Sequence, residues 1–284
     1  MTNIPIFDGV RDIAKQYPVW LCDIWGVLHN GVAAYAAAWG ALVRYREAGG
    51  TVILITNAPR PYPGIVEQIT GLGVPAHAYD AIVTSGDVTR ALIEAEAGRH
   101  IFHLGPERNQ SLFEGLGVKL TGQDKAGLVV CTGLLDDTIE TPADYRQQLA
   151  AMRSKAQPMI CANPDVVVER GASICYCAGA LGEAYEALGG SVQYAGKPKP
   201  PIYVAALEKA AALRGKRIDK RQVLAIGDGL KTDILGAYGF GIDALFVASA
   251  VHLDTAANLT KHSLAQLFAS GPARPIAAID RLAW

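Results

Sequence analysis

The stretch Val19-Trp20-Leu21-Cys22-Asp23-Ile24-Trp25-Gly26-Val27-Leu28-His29-Asn30-Gly31 opens with four apolar residues and breaks at a carboxylate. Unbroken hydrophobicity of this kind, without polar alternation, is the pattern of a strand buried on both faces, as in a parallel sheet covered by helices. Asp23 then stands at the end of the strand, with Gly26 allowing a tight turn behind it. Taken alone, an Asp in such a place is more often a turn former or a helix cap than a reactive group.

The same grammar recurs outward from this stretch. Val52-Ile-Leu-Ile runs into Thr56-Asn57, Val223-Leu-Ala-Ile runs into Gly227-Asp228, and a further apolar run covers Ala244 to Ala248. Between them lie helix-like stretches. One spans Ala36 to Ala48 and stops at Gly49-Gly50; another spans Pro201 to Leu213, with Pro at its start and Gly215 past its end. Alternating strands and helices predict an open α/β sheet, Rossmann-like and parallel, whose chemistry gathers beyond the carboxyl ends of the strands. The middle of the chain repeats the style with runs at Ala81, Ile101, Leu128 and Met159. This predicts two domains: a core made of residues 1–75 and 194–284, and a second α/β domain, 76–193, inserted between its strand motifs.

Composition narrows the function classes. Half of the 284 residues are apolar and 19% are charged, which excludes a mainly disordered chain. The formal net charge of −1, without a basic run, gives no reason to expect nucleic acid or a membrane surface as partner. A small-molecule substrate is expected instead. No run of about twenty apolar residues occurs, and Met1 to Gln16 does not read as a leader. Five Cys without metal-binding spacing read as buried thiols, consistent with a reducing cytoplasm.

Four strand-end signals carry the chemistry. Asp23 is the first. Thr56-Asn57 offers a hydroxyl and an amide suited to phosphate oxygens. Gly196-Lys197-Pro198 fixes an ammonium between Gly and Pro, where it could neutralise a carboxylate and a transferring phosphoryl group. Gly227-Asp228-Gly-Leu-Lys-Thr-Asp233 supplies two carboxylates, and hard Mg²⁺ favours a few carboxylates completed by water and phosphate oxygens. Asp233 reads equally as a metal ligand, a residue supporting the ligands, or the cap of the next helix.

In this order and at these strand ends, the set resembles the haloacid dehalogenase-like hydrolases. The second domain falls between the Thr56 and Lys197 motifs, and Asn163-Pro164-Asp165 is followed by Ala178-Gly-Ala-Leu-Gly-Glu and Gly196-Lys-Pro. Both features resemble the class IIA branch, which includes nitrophenylphosphatase-like and nucleotide-monophosphate phosphatases. The resemblance implies a Mg²⁺-dependent phosphatase or phosphotransferase acting on a small phosphorylated metabolite. Asp23 would form an aspartyl-phosphate, with Thr56 and Asn57 on the phosphoryl oxygens and Lys197 paired with Asp23 and the phosphate. The metal would be held by Asp23, the backbone carbonyl of Trp25 and Asp228, with Asp233 in support. Asn163 and Asp165 would face the substrate from the inserted cap, and cap surfaces in such proteins often form homodimers.

Trp25 departs from the family pattern. Most of its phosphatases carry a second Asp there, which protonates the leaving group and then activates water. General acid-base help of that kind is worth roughly 10²–10⁴ in rate, and Trp cannot give it. Three readings stay open: a substrate with a good leaving group, another proton carrier such as His29, or a weak or silent phospho-ligand-binding protein. His29 also reads as an ordinary loop residue. Trp20, Trp39 and Trp284 read as packing residues. His77, His100, His103, His252 and His262 lack metal spacing.

Overall fold

The computed structural model describes residues 4–96, 98–170, 173–248 and 259–284. Among them, two compact units form, one from Met1–Thr56, Ile65–Val83 and Pro198–Trp284, the other from Asn57–Gly64 and Thr84–Lys197. His252 lies outside the described residues.

The first unit is built on a seven-stranded sheet. Its spatial order is Ile6–Phe7, Ala277–Ile279, Asp243–Val247, Val223–Gly227, Val19–Asp23, Thr51–Thr56 and Ala81–Thr84. From Ile6–Phe7 through Thr51–Thr56 every neighbour is parallel. Strands Val19–Asp23, Thr51–Thr56 and Val223–Gly227 are buried at every residue, which is why their sequences show no polar alternation. The helices end where the glycines said they would: Ala36–Glu47 is followed by Gly49 at φ +89°, and Pro200–Arg214 by Gly215 at φ +63°.

Strand Val19–Asp23 has the strand next in sequence, Thr51–Thr56, on one side and the much later Val223–Gly227 on the other. The strand order therefore reverses at Val19–Asp23, and the crevice that such a reversal opens lies at the carboxyl ends of Val19–Asp23 and Val223–Gly227. Register brings the ends level, with Cys22 paired to Ile226 and Asp23 paired to Ile55. The opposite, amino-terminal end of the sheet is anchored by Trp20 and Tyr45, whose rings stack at 3.6 Å and 1°.

The second unit carries a five-stranded parallel sheet, ordered Val192–Tyr194, Met159–Cys161, Leu128–Cys131, His100–Leu104 and Lys119–Leu120. An antiparallel pair, Val167–Arg170 with Ser173–Tyr176, accompanies it. The Ala81 run, assigned from sequence to the inserted part, is instead the edge strand of the seven-stranded sheet. Four apolar residues look alike in either sheet, and only the return of the chain from helix Tyr62–Gly71 to the side of Thr51–Thr56 decides between them.

Within the second unit His103 is partly buried, with Nε2 2.8 Å from Thr132 Oγ1 and its ring edge-on to Phe113. Burial lowers its pKa below the ordinary imidazole value. A base whose pKa falls on folding keeps its full stability contribution above the unfolded value of about 6.5 and loses it as pH drops toward the folded value. Urea unfolding at pH 7.5 and pH 5.5 should therefore show a smaller loss of stability on acidification for His103→Gln than for the wild type.

Candidate active site

The reversal point of the first unit gathers Asp23, Asp228 and Asp233, all buried, with one carboxylate oxygen from each lying within 4.8 Å of the others. It is the one such group of potential metal ligands among the described residues. Asp23 closes its strand, and Asp228 follows directly on Val223–Gly227. Asp233 comes from a π-turn, Leu230–Ile234, in which the Ile234 N–H reaches back five residues to the Gly229 carbonyl. Such wide turns are frequent at functional sites because they re-aim a side chain. Here the turn carries Asp233 back so that its Oδ2 accepts from the Gly229 N–H at 3.1 Å and from Thr232 Oγ1 at 3.3 Å. Asp233 thus closes its own turn and still belongs to the carboxylate cluster.

Two glycines make room for this crowding. Gly26 holds φ +83°, and a Cβ on it would overlap the Asp228 carboxylate. A Cβ on Gly227 would overlap the Asp233 side chain. Three ionised carboxylates at about this spacing repel by roughly 3–4 kcal/mol per pair at an effective dielectric of about 20. A cation removes that penalty. The donors are all hard oxygens, with no thiol or imidazole among them, which suits Mg²⁺ or Ca²⁺ far better than a softer metal.

Thr56 ends the strand beside Asp23 and is buried. Trp25, two residues beyond Asp23, is half-buried, and its indole lies over the open face of Gly31. His29 is buried in the same loop, and its Nδ1 accepts the Gly31 N–H at 2.9 Å. Burial lowers its pKa, so the ring is a neutral clamp of the loop that contains Trp25. Tyr35 was not singled out by sequence. The Asp228 carboxylate, after burial, raises the pKa of its phenol, which places Tyr35 in the electrostatic field of the cluster. An exposed Tyr before a helix carries no sequence signal for this.

In the second unit Asn57 holds Lys197 by the backbone. Its Oδ1 accepts the Lys197 N–H at 2.7 Å, and its Nδ2 donates to the Lys197 carbonyl at 3.0 Å and to Asp165 Oδ1 at 2.8 Å. Both amide hydrogens are used, and the Asn57 side chain positions the Lys197 segment. Asn163 Oδ1 in turn accepts the Asp165 N–H at 3.0 Å, and the Asp165 carbonyl accepts the Gly179 N–H at 3.1 Å. Asn163 and Asp165 are therefore parts of the scaffold behind Lys197, itself buried. Gly196 is obligatory, because a Cβ there would overlap Asn57 Oδ1.

A crystal structure of a haloacid dehalogenase-like family hydrolase from Brucella suis 1330 is 46% identical in sequence, covers 97% of this chain and 99% of its own, and superposes with a TM-score of 0.86. The chain belongs to the haloacid dehalogenase-like hydrolase family. Family models agree, one for haloacid dehalogenase-like hydrolases over residues 20–119 and one described as HAD-hydrolase-like over residues 194–270. The acid sugar phosphatase of Staphylococcus aureus strain USA300 is 26% identical over 246 residues, 84% of this chain and 88% of that one. The 4-nitrophenylphosphatase of Thermotoga maritima shares the fold at 21% identity, with a TM-score of 0.72 over 95% of this chain and 96% of that one. Within the haloacid dehalogenase-like hydrolases the chain has the class IIA arrangement, as these relatives support.

The five Cys of this hydrolase are buried and form no disulfide among the described residues, and burial pushes the Cys131 thiol up to about 12, which leaves that thiol inert as a nucleophile. Among the described residues no helix is long and apolar enough to cross a membrane.

The Gly26 cradle gives a direct test. Gly26→Ala must strain a left-handed backbone and displace the Asp228 carboxylate. Calorimetric titration with Mg²⁺ should then show at least tenfold weaker binding than in the wild type, with the circular dichroism spectrum unchanged.

Proposed function

We propose that this chain is a Mg²⁺-dependent phosphatase of small phosphorylated metabolites that works through an aspartyl-phosphate at Asp23. The observation that carries the reading is the cluster of three buried carboxylates at the sheet's reversal point, where one can serve as nucleophile only if a cation offsets the charge of all three. Asp23, Asp228 and the Trp25 carbonyl, supported by Asp233, would hold Mg²⁺, which would neutralise those carboxylates and the phosphoryl oxygens. The phosphatase relatives from Staphylococcus aureus and Thermotoga maritima support the substrate class.

The chain's own groups divide the work. A carboxylate oxygen of Asp23 forms a bond to phosphorus as the bond to the leaving oxygen breaks, and water later displaces the carboxylate to release phosphate. Thr56 offers its hydroxyl to the phosphoryl oxygens, and Lys197 supplies positive charge to them. Asn57, Asn163 and Asp165 act behind Lys197 by fixing its backbone. The Gly31 N–H occupies Nδ1 of His29, which argues against His29 as the missing proton carrier. Five buried Cys without a disulfide fit a cytoplasmic setting.

Trp25 shapes the substrate range. With no acid to protonate the departing oxygen, turnover favours leaving groups that need no proton, such as acyl phosphates and aryl phosphates. Trp25 also favours a second reading, a phospho-ligand-binding protein with little turnover. Phosphate release from acetyl phosphate, nitrophenyl phosphate, sugar phosphates, nucleotides and pyridoxal phosphate, with Asp23→Asn as blank, separates the two. We expect Mg²⁺-dependent release, strongest for acetyl and nitrophenyl phosphate, and a gain of about 10²-fold or more on sugar phosphates for Trp25→Asp. Release no higher than the Asp23→Asn blank on every substrate would leave the binding-protein reading.

A further inference from the structure

At the amino-terminal end of the seven-stranded sheet, within the first unit, lies a cavity of about 410 Å³. It is bounded by Arg11, Lys15, Tyr17, Tyr45 and Trp284, with Pro18 and Gly49-Gly50 supplying backbone. Its distance from the aspartates follows from the sheet. Pro18 precedes strand Val19–Asp23, so the five steps to Asp23 at about 3.3 Å each put roughly 16 Å between them. The size falls in the range of about 300–1,000 Å³ usual for small-molecule sites.

The charged side chains that line this cavity, Arg11 and Lys15, are both cationic. Arg11 and Lys15 are four residues apart, and among the described residues neither forms an ion pair. Arg214 stands behind the floor. Its Nη1 donates to the carbonyls of Pro18 at 3.2 Å and Gly49 at 3.3 Å and to Thr51 Oγ1 at 2.9 Å, and its buried Nε has no partner. No Asp or Glu side chain lines the cavity. The partly buried Arg214, with neutral partners and a spare donor, stands beside two solvent-exposed cations, and the resulting positive field favours an anion.

The walls set the rest of the ligand. Tyr45 is fixed from behind by its stack on Trp20, and its hydroxyl donates to the Tyr17 carbonyl. Tyr17 is fixed by its hydroxyl donating to Asp243 Oδ2 at 2.7 Å. Burial, with Asp243 adding for Tyr17, raises both phenols, so these walls stay uncharged and do not compete for the cations. Trp284 is half-buried and gives the rim a flat apolar surface. Rigid aromatic walls beside cations favour a flat ring that bears an anionic group.

We propose that this cavity is a binding site for a small aromatic anion, separate from the aspartate cluster. The test uses naphthalene-1-sulfonate as probe and the uncharged 1-naphthalenemethanol as its control, titrated calorimetrically into the whole chain. The sulfonate should bind one site per chain, at least tenfold more tightly than the alcohol. Binding should fall at least tenfold in Arg11→Glu/Lys15→Glu and in the milder Lys15→Gln/Trp284→Ala, and stay unchanged in Asp23→Asn. Sulfonate binding that does not saturate, that matches the alcohol, or that survives in both cavity variants would overturn the proposal. Loss in Asp23→Asn would overturn it too, because the anion would then sit at the aspartates.

Discussion

Three carboxylates that repel one another must be held together at the reversal point of the parallel sheet, and much of the first unit can be read as the means of doing so. Asp23 and Asp228 are brought level by the register of two strands buried at every residue. Asp233 would point elsewhere in a regular helix, and the π-turn returns it to the cluster. Gly26 and Gly227 leave space that no side chain could share with the carboxylates. Folding such a cluster costs free energy that a bound cation would recover, so stability and metal affinity would be linked if the proposed Mg²⁺ binds here.

Much of this was legible in the sequence because it depends on local pattern. The apolar runs before Asp23, Thr56 and Asp228 mark fully buried strands, and the glycines after Ala48 and Arg214 mark helix ends. The Ala81 strand was not legible, since membership of a sheet is a matter of return path and not of the four residues themselves. The role of Asn57 was hidden for a related reason. A strand-end amide suits phosphate, but its partners are Lys197, 140 positions away, and Asp165, 108 away, and no spacing rule pairs them. Tyr35 escaped notice because nothing in a Tyr-Ala-Ala-Ala segment points to the field of Asp228.

Trp25 ties the chemistry to the loop. The residue that would carry an acid-base carboxylate in most relatives is here an indole over Gly31, and the neighbouring His29 is committed to the Gly31 N–H. The loop is stable without a titrating group. Both the protonation of a leaving group and the activation of water are then left without a side chain, and with a leaving group that needs no proton only the activation of water is missed. On the proposed aspartyl-phosphate route, the slow step for such substrates would then be hydrolysis of the phosphoenzyme.

That shift can be seen directly. The chain is incubated with acetyl phosphate and Mg²⁺, quenched in acid, reduced with borohydride and mapped by mass spectrometry, which converts an aspartyl-phosphate to homoserine. The account predicts homoserine at position 23, formed only with Mg²⁺ and reaching a large share of the chains before hydrolysis depletes it. Phosphate release proceeding without any modification of Asp23, or modification at another carboxylate, would contradict it.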